Sequence, residues 1–180
     1  GRYYTDPVFL LAANPGVDPV NLETGQQIIV PYGFSVVDTD IDYTYDVLER
    51  DIRGLQARYP FLETGVAGQS LLGRKLYYIR LGSGPNQVFY NGAHHSLEWI
   101  TVPLLMKFTE EFTAAYVAGR TLGPGCDPRD IWRRSSIYII PMVNPDGVDL
   151  VLNGLSPDNP YYRDLISWNN GSTDFSALWQ

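Results

Sequence analysis

The sequence predicts an α/β protein built on a mixed β-sheet flanked by helices, and three observations carry that expectation. Lys75-Leu76-Tyr77-Tyr78-Ile79-Arg80-Leu81 alternates as a half-buried strand does. Gln87-Val88-Phe89-Tyr90 and Ser136-Ile137-Tyr138-Ile139-Ile140 are continuous apolar runs suited to a sheet interior. Between those two runs lies a long helical pattern, Glu98 to Val117, so strand, helix and strand succeed one another at the spacing of a crossover unit.

Taken in order, the first thirty-odd residues read as a small unit of their own. Val8-Phe9-Leu10-Leu11-Ala12-Ala13 is a short apolar helix closed by Asn14-Pro15-Gly16, and Gln27-Ile28-Ile29-Val30 is a short strand ending at Pro31. Such a helix-to-strand piece is too small to bury a core alone. Tyr32 to Ile41 is a polar connector and places a domain boundary, giving units 1–33 and 34–180. Asp38-Thr39-Asp40-Ile41-Asp42 lacks the glycine and distal glutamate of a calcium loop and reads as a linker leading into a helix.

From Tyr43 the period becomes helical: Leu48, Ile52, Leu55 and Tyr59 share a face, and Pro60 ends the helix. Gly68 to Arg74 is read as a turn before the alternating strand, and Gly82-Ser83-Gly84-Pro85-Asn86 as a second turn. In the long helix Ile100, Leu104, Leu105, Phe108, Phe112 and Tyr116 form the expected buried face, with Pro103 tolerated near the first turn. A loop through Cys126 leads to the last strand, and Leu152 to Gln180 is expected to be a long irregular surface segment of the kind that borders clefts.

Composition narrows the function classes. Hydrophobic residues make up 44% of the 180 and charged residues 18%, which suits one substantial core or a core with a small module. With 13 basic against 20 acidic residues the net charge is −7, which argues against a phosphate-neutralising nucleic-acid face. The single cysteine excludes an internal disulfide framework and cannot by itself build a cysteine zinc site. No apolar run approaches the roughly 18 residues of a membrane span. No signal peptide opens the sequence, so the protein is expected to be cytosolic or to have its targeting segment outside these residues. The 13 Tyr and 4 Trp suit stacking on sugars or peptides, or core packing.

Both histidines fall in one stretch, Asn91-Gly92-Ala93-His94-His95-Ser96-Leu97-Glu98-Trp99-Ile100-Thr101, just past the C-terminal end of a strand, where open α/β sheets keep their sites. His95 in the loop and Glu98 at the start of the helix can offer an imidazole nitrogen and a carboxylate oxygen to one zinc ion. The same spacing suits a hydrogen-bonded structural histidine, and spacing alone leaves both readings open.

The residues around the pair carry a resemblance. His95-Ser96-Leu97-Glu98-Trp99-Ile100-Thr101, preceded by a strand and Gly-Ala-His and followed by Asn144-Pro145-Asp146-Gly147, resembles the zinc metallocarboxypeptidases, and Gly68-x-Ser70-x-x-Gly73-Arg74 fits their early strand region. The resemblance spans about Tyr43 to Gln180. It implies a zinc-dependent peptidase with His95 and Glu98 as metal ligands; His94, which points elsewhere if His95 points at the metal, is expected to support the ligands from outside the set or to be structural. No histidine follows His95, so the resemblance places the third ligand and the general-base glutamate beyond Gln180, with no catalytic residue inside the chain. Leu178-Trp179-Gln180 matches the family's Leu-Trp-Arg, with Gln180 as a substrate-binding candidate in the arginine's place. Asn144 and Asp146 are expected to shape a turn, and Arg133-Arg134 to be a solvated pair.

Leu10-Leu11-Ala12-Ala13-Asn14-Pro15-Gly16, Leu22 and Gly25-Gln26-Gln27-Ile28-Ile29-Val30-Pro31 resemble the second half of a LysM module. LysM followed by such a peptidase is similar to the bacterial γ-D-glutamyl-meso-diaminopimelate peptidases. This implies a peptidoglycan stem peptide as substrate, a cell-wall or extracellular location, and a sequence cut at both ends. A non-catalytic cell-wall-binding protein with a degenerate peptidase domain, and an ordinary carboxypeptidase acting on protein C-termini, are the alternative expectations.

Overall fold

A computed structural model describes residues 5–31 and 33–177. Helix α1, Pro7–Ala13, is capped by Asp6 and begins with proline, whose missing N–H costs nothing at that position. The strand expected at Gln27 to Val30 does not form. With no strand beside it among the described residues, this stretch exchanges two hydrogen bonds with one side-chain amide: Ile29 N–H donates to Asn14 Oδ1 at 2.7 Å, and Asn14 Nδ2 donates to the Ile29 carbonyl at 2.7 Å.

Helix α2, Tyr45–Arg58, follows the predicted face closely; Leu48, Ile52 and Leu55 are buried in it, and Tyr59 follows at its C-cap. Thr44 caps it, rather than the aspartates before it. Strand β1, Glu63–Gln69, takes in Gly68 and Gln69, which by sequence read as part of a turn. Its two glycines and alanine give weak β-propensity, and it forms because β2, Lys75–Leu81, supplies an antiparallel partner with a bulge between Val66 and Gly68. Strand β3 is Asn86–Asn91.

The four strands lie in the order β1-β2-β4-β3, where β4 is Ser135–Ile140. Strands β2 and β4 are antiparallel and β3 and β4 parallel, so the mixed sheet is as predicted, with a crossover between β3 and β4. The expectation that β3 lies in the sheet interior is corrected: among the described residues it is an edge strand, and Phe89 is 56% exposed.

The crossover contains helix α3, Thr101–Ala118, and a short helix α4, Pro128–Arg134, that periodicity did not show. Seven residues are too few to display a helical repeat, although Asp127-Pro128 is a legible start signal. The buried face of α3 is rotated from the expected one. Val102, Met106, Phe112 and Ala115 are buried, while Ile100 and Leu104 face outward, the latter 67% exposed. Apolar residues surround this helix, so only its neighbours decide which of them go inside. After β4 come α5, Pro145–Asn153, and α6, Tyr162–Trp168, the latter inside the segment expected to be irregular.

The core brings Ile79, Leu81, Ile137 and Ile139 of the sheet together with Leu48, Ile52 and Leu55 of α2, Val102, Met106 and Phe112 of α3, and Val148 of α5. One sheet face is thereby covered, and α3 descends from the C-terminal end of β3. That geometry sets both histidines at the rim of the sheet.

Candidate metal centre

The stretch after β3 is stitched to the end of β4. Val143 N–H donates to the Gly92 carbonyl and Asn144 N–H to the Ala93 carbonyl, each at 3.0 Å. Ala93 sits at φ 50°, left-handed for a residue with a Cβ, which costs about 1–2 kcal/mol. Its N–H donates to Thr101 Oγ1 at 2.8 Å, and that hydroxyl donates to the Glu98 carbonyl at 2.8 Å. The loop is therefore held in a conformation it would not choose alone.

This frame directs the two predicted ligands to one place. His95 caps a single 3-10 turn, Ser96–Glu98, and its Nδ1 lies 3.3 Å from Glu98 Oε2. Their side chains are 63% and 59% exposed, so both donors open to solvent. An imidazole nitrogen and a carboxylate oxygen side by side fit the chemistry of a zinc ligand set. As ligands they would be two of the three protein donors a catalytic zinc takes; among the described residues no group of three His, Cys, Asp or Glu could hold a metal. His94 turns elsewhere: its Nε2 is 2.6 Å from Asn91 Oδ1. Gln180 lies outside the described residues.

Sequence reasoning missed what lies behind the pair. Asn144 and Asp146 do more than shape a turn, since Asn144 caps α5 by accepting from Gly147 N–H at 2.9 Å. Asp146 accepts from Ser70 Oγ at 2.9 Å, Leu72 N–H at 2.9 Å and Arg74 Nη1 at 2.8 Å. Arg74 also reaches Asp149 at 2.6 Å. Burial opposes the charge on Arg74, but the hydrogen bonds and charges of Asp146 and Asp149 outweigh it and raise its pKa. The two motifs, Gly68 to Arg74 and Asn144 to Gly147, are thus halves of one contact. The complementary charges of Arg74 and Asp146 were the available signal. Arg133 and Arg134 are exposed, as expected, and both pair with Asp130 on α4.

Beside this network a cavity of about 490 Å³ opens, lined by Leu71, Leu72, Ser96, Asn144, Tyr161 and Leu165 among others. Gly147 also lines it and packs against the loop that carries Ser96. A Cβ there would overlap Ser96 Oγ and come within 2.6 Å of Asn144 Nδ2. Gly147→Ala is therefore expected to destabilise the protein by about 1–3 kcal/mol, the cost of overpacking, measured by urea unfolding. An unchanged midpoint would show that the loop yields freely.

Comparisons with known proteins agree with this architecture. The zinc carboxypeptidase family profile matches residues 48–173. The chain is 34% identical over 147 residues to gamma-D-glutamyl-L-diamino acid endopeptidase 1 of Lysinibacillus sphaericus, covering 79% of this chain and 36% of that protein. It is 27% identical over 196 residues to the uncharacterized protein YqgT of Bacillus subtilis (strain 168), covering 97% of this chain and 52% of that protein. The chain thus spans between about a third and a half of the length of these curated relatives. Among solved structures, bovine thrombin-activatable fibrinolysis inhibitor in complex with tick carboxypeptidase inhibitor superposes with a TM-score of 0.51 at 21% identity, covering 65% of this chain and 39% of that one, which bears on the fold. With the histidine and glutamate paired at the end of a parallel strand and the family profile spanning most of the chain, this chain belongs to the zinc carboxypeptidase family.

Proposed function

We propose that this protein hydrolyses stem peptides of peptidoglycan at the γ-D-glutamyl–diaminopimelate bond, with His95 and Glu98 as two ligands of a catalytic zinc. The observation that carries the reading is the 34% identity with a relative named as a γ-D-glutamyl-L-diamino acid endopeptidase, over a stretch that contains the paired donors. Zinc, when bound, supplies a Lewis acid for the scissile carbonyl and a water of lowered pKa. His95 and Glu98 contribute the nitrogen and carboxylate donors, and the hydrogen bonds around Ala93 and Thr101 hold the intervening turn so that both donors face the same side.

Two further parts belong to the same reading. The cavity bordered by Leu71, Leu72 and Tyr161 lies at the catalytic end of the sheet and suits the peptide portion of a substrate. Residues 1–33 are read as part of a LysM-like glycan-binding module, which would place the enzyme at the cell wall; the support is the sequence pattern around Asn14 and Gly25. No helix among the described residues is long and apolar enough to cross a membrane.

The discriminating experiment supplies the whole protein with L-Ala-γ-D-Glu-diaminopimelate peptides whose C-terminus is free or amidated. An endopeptidase of this type is expected to release diaminopimelate-containing product from both. Cleavage confined to free C-termini of ordinary peptides would replace the proposal with a carboxypeptidase.

A further inference from the structure

The Asn144 side chain does two separable things. Its Oδ1 accepts from Gly147 N–H at 2.9 Å and so caps α5. Its Nδ2 reaches the other way, to the His94 carbonyl at 3.3 Å and to Ser96 Oγ at 3.3 Å. Those two acceptors flank His95 in the chain. Asn144 also grips the loop through its own backbone, donating to the Ala93 carbonyl at 3.0 Å.

We infer that Asn144 is a positioning residue for the proposed metal pair: its amide holds the His94 carbonyl on one side of His95 and the Ser96 hydroxyl on the other, and thereby sets the approach of the imidazole to Glu98. The inference rests on the reading of His95 and Glu98 as ligands. Three observations point the same way. Ser96 is fully buried between two exposed ligand candidates, so it is the anchored point about which they turn. Gly147 leaves no room for a Cβ beside Ser96 Oγ and the Asn144 amide, so helix and loop are packed at closest approach. Ala93 is held left-handed immediately upstream, and such a residue keeps its conformation only where its surroundings over-determine it. A donor pair held in place binds an ion without first having to be ordered, and partners that orient ligands from behind commonly change metal affinity by about 10–100-fold.

Asn144→Asp separates the clamp from the cap. A carboxylate still accepts from Gly147 N–H and is a good helix cap, but it cannot donate to the His94 carbonyl. The experiment titrates zinc chloride into the 180-residue chain, reads affinity by isothermal titration calorimetry, and follows thermal unfolding in parallel. Asn144→Asp is expected to keep a cooperative unfolding transition close to that of the unchanged chain while zinc affinity falls about 10–100-fold. Unchanged affinity in Asn144→Asp, with affinity lost in His95→Ala, would overturn the clamp and leave the ligand reading standing. Unchanged affinity in His95→Ala would overturn both. Should Asn144→Asp fail to fold, Ser96→Ala removes one acceptor of the clamp and leaves the cap; a several-fold loss of affinity is expected, and no loss would overturn the inference.

Discussion

His95→Ala in the whole protein is expected to slow hydrolysis of γ-D-glutamyl–diaminopimelate peptides by about 10³-fold, corresponding to the several kcal/mol of transition-state stabilisation a bound metal supplies. In the proposed site the side chain would be one donor of a small set, and its partner Glu98 stands 3.3 Å away, half in solvent, where a lone carboxylate holds zinc poorly. The loss should track metal content, so zinc retained after dialysis is measured alongside the rate. His94→Ala is the internal control. Its ring is engaged with Asn91 Oδ1 rather than with Glu98, so its zinc content should stay near that of the unchanged protein. Full activity in His95→Ala would remove that residue from the ligand set.

Glu110→Ala is expected to cost about 3–5 kcal/mol of stability, the range for breaking a buried ion pair by removing one partner. The residue lies buried on α3, yet its carboxylate accepts from Val36 N–H and Ser35 Oγ at 2.6 Å and from Val37 N–H at 3.3 Å. Lys107 at 2.9 Å and Arg58 at 3.3 Å supply the countercharge. It thus pins the segment entering α2, read from sequence as a linker, to the body of the protein. Alanine would leave two backbone donors without their acceptor and two cations without this carboxylate.

The same cluster makes stability depend on pH. Burial acts to raise the Glu110 pKa, but the hydrogen bonds from Ser35, Val36 and Lys107 and the Lys107 charge together hold it below the ordinary glutamate value. As pH falls, the unfolded chain therefore takes up this proton before the folded one does. The contribution is complete above the unfolded value of about 4.3 and is lost as pH drops through the lower folded value. Glu110→Gln, which cannot titrate, should lose less stability between pH 5 and pH 3 than the unchanged chain; denaturant midpoints across that range test it, and identical acid limbs would contradict it.

What was legible in the sequence was local. The period of Leu48, Ile52 and Leu55 defines α2, the alternation of Lys75 to Leu81 defines β2, and the apolar run before Asn91 places His95 and Glu98 at a strand's end. Each follows from neighbours within one element, where spacing translates directly into a face. The missed helices α4, α5 and α6 run seven to nine residues, too short for a repeat to declare itself. Strand β1 has little propensity of its own and exists through its partner.

Tertiary structure alone decided the rest. Arg74 meets Asp146 across 72 residues, Glu110 meets Val36 across 74, and the Asn144 amide meets the His94 carbonyl across 50. A hydrogen bond depends on distance and angle in space, and no periodicity in the chain encodes which donor will arrive there. The sequence by itself pointed to the His95 and Glu98 pair and to the strand before it; the fold decided how that pair is held, because the groups holding it come from the far side of a crossover.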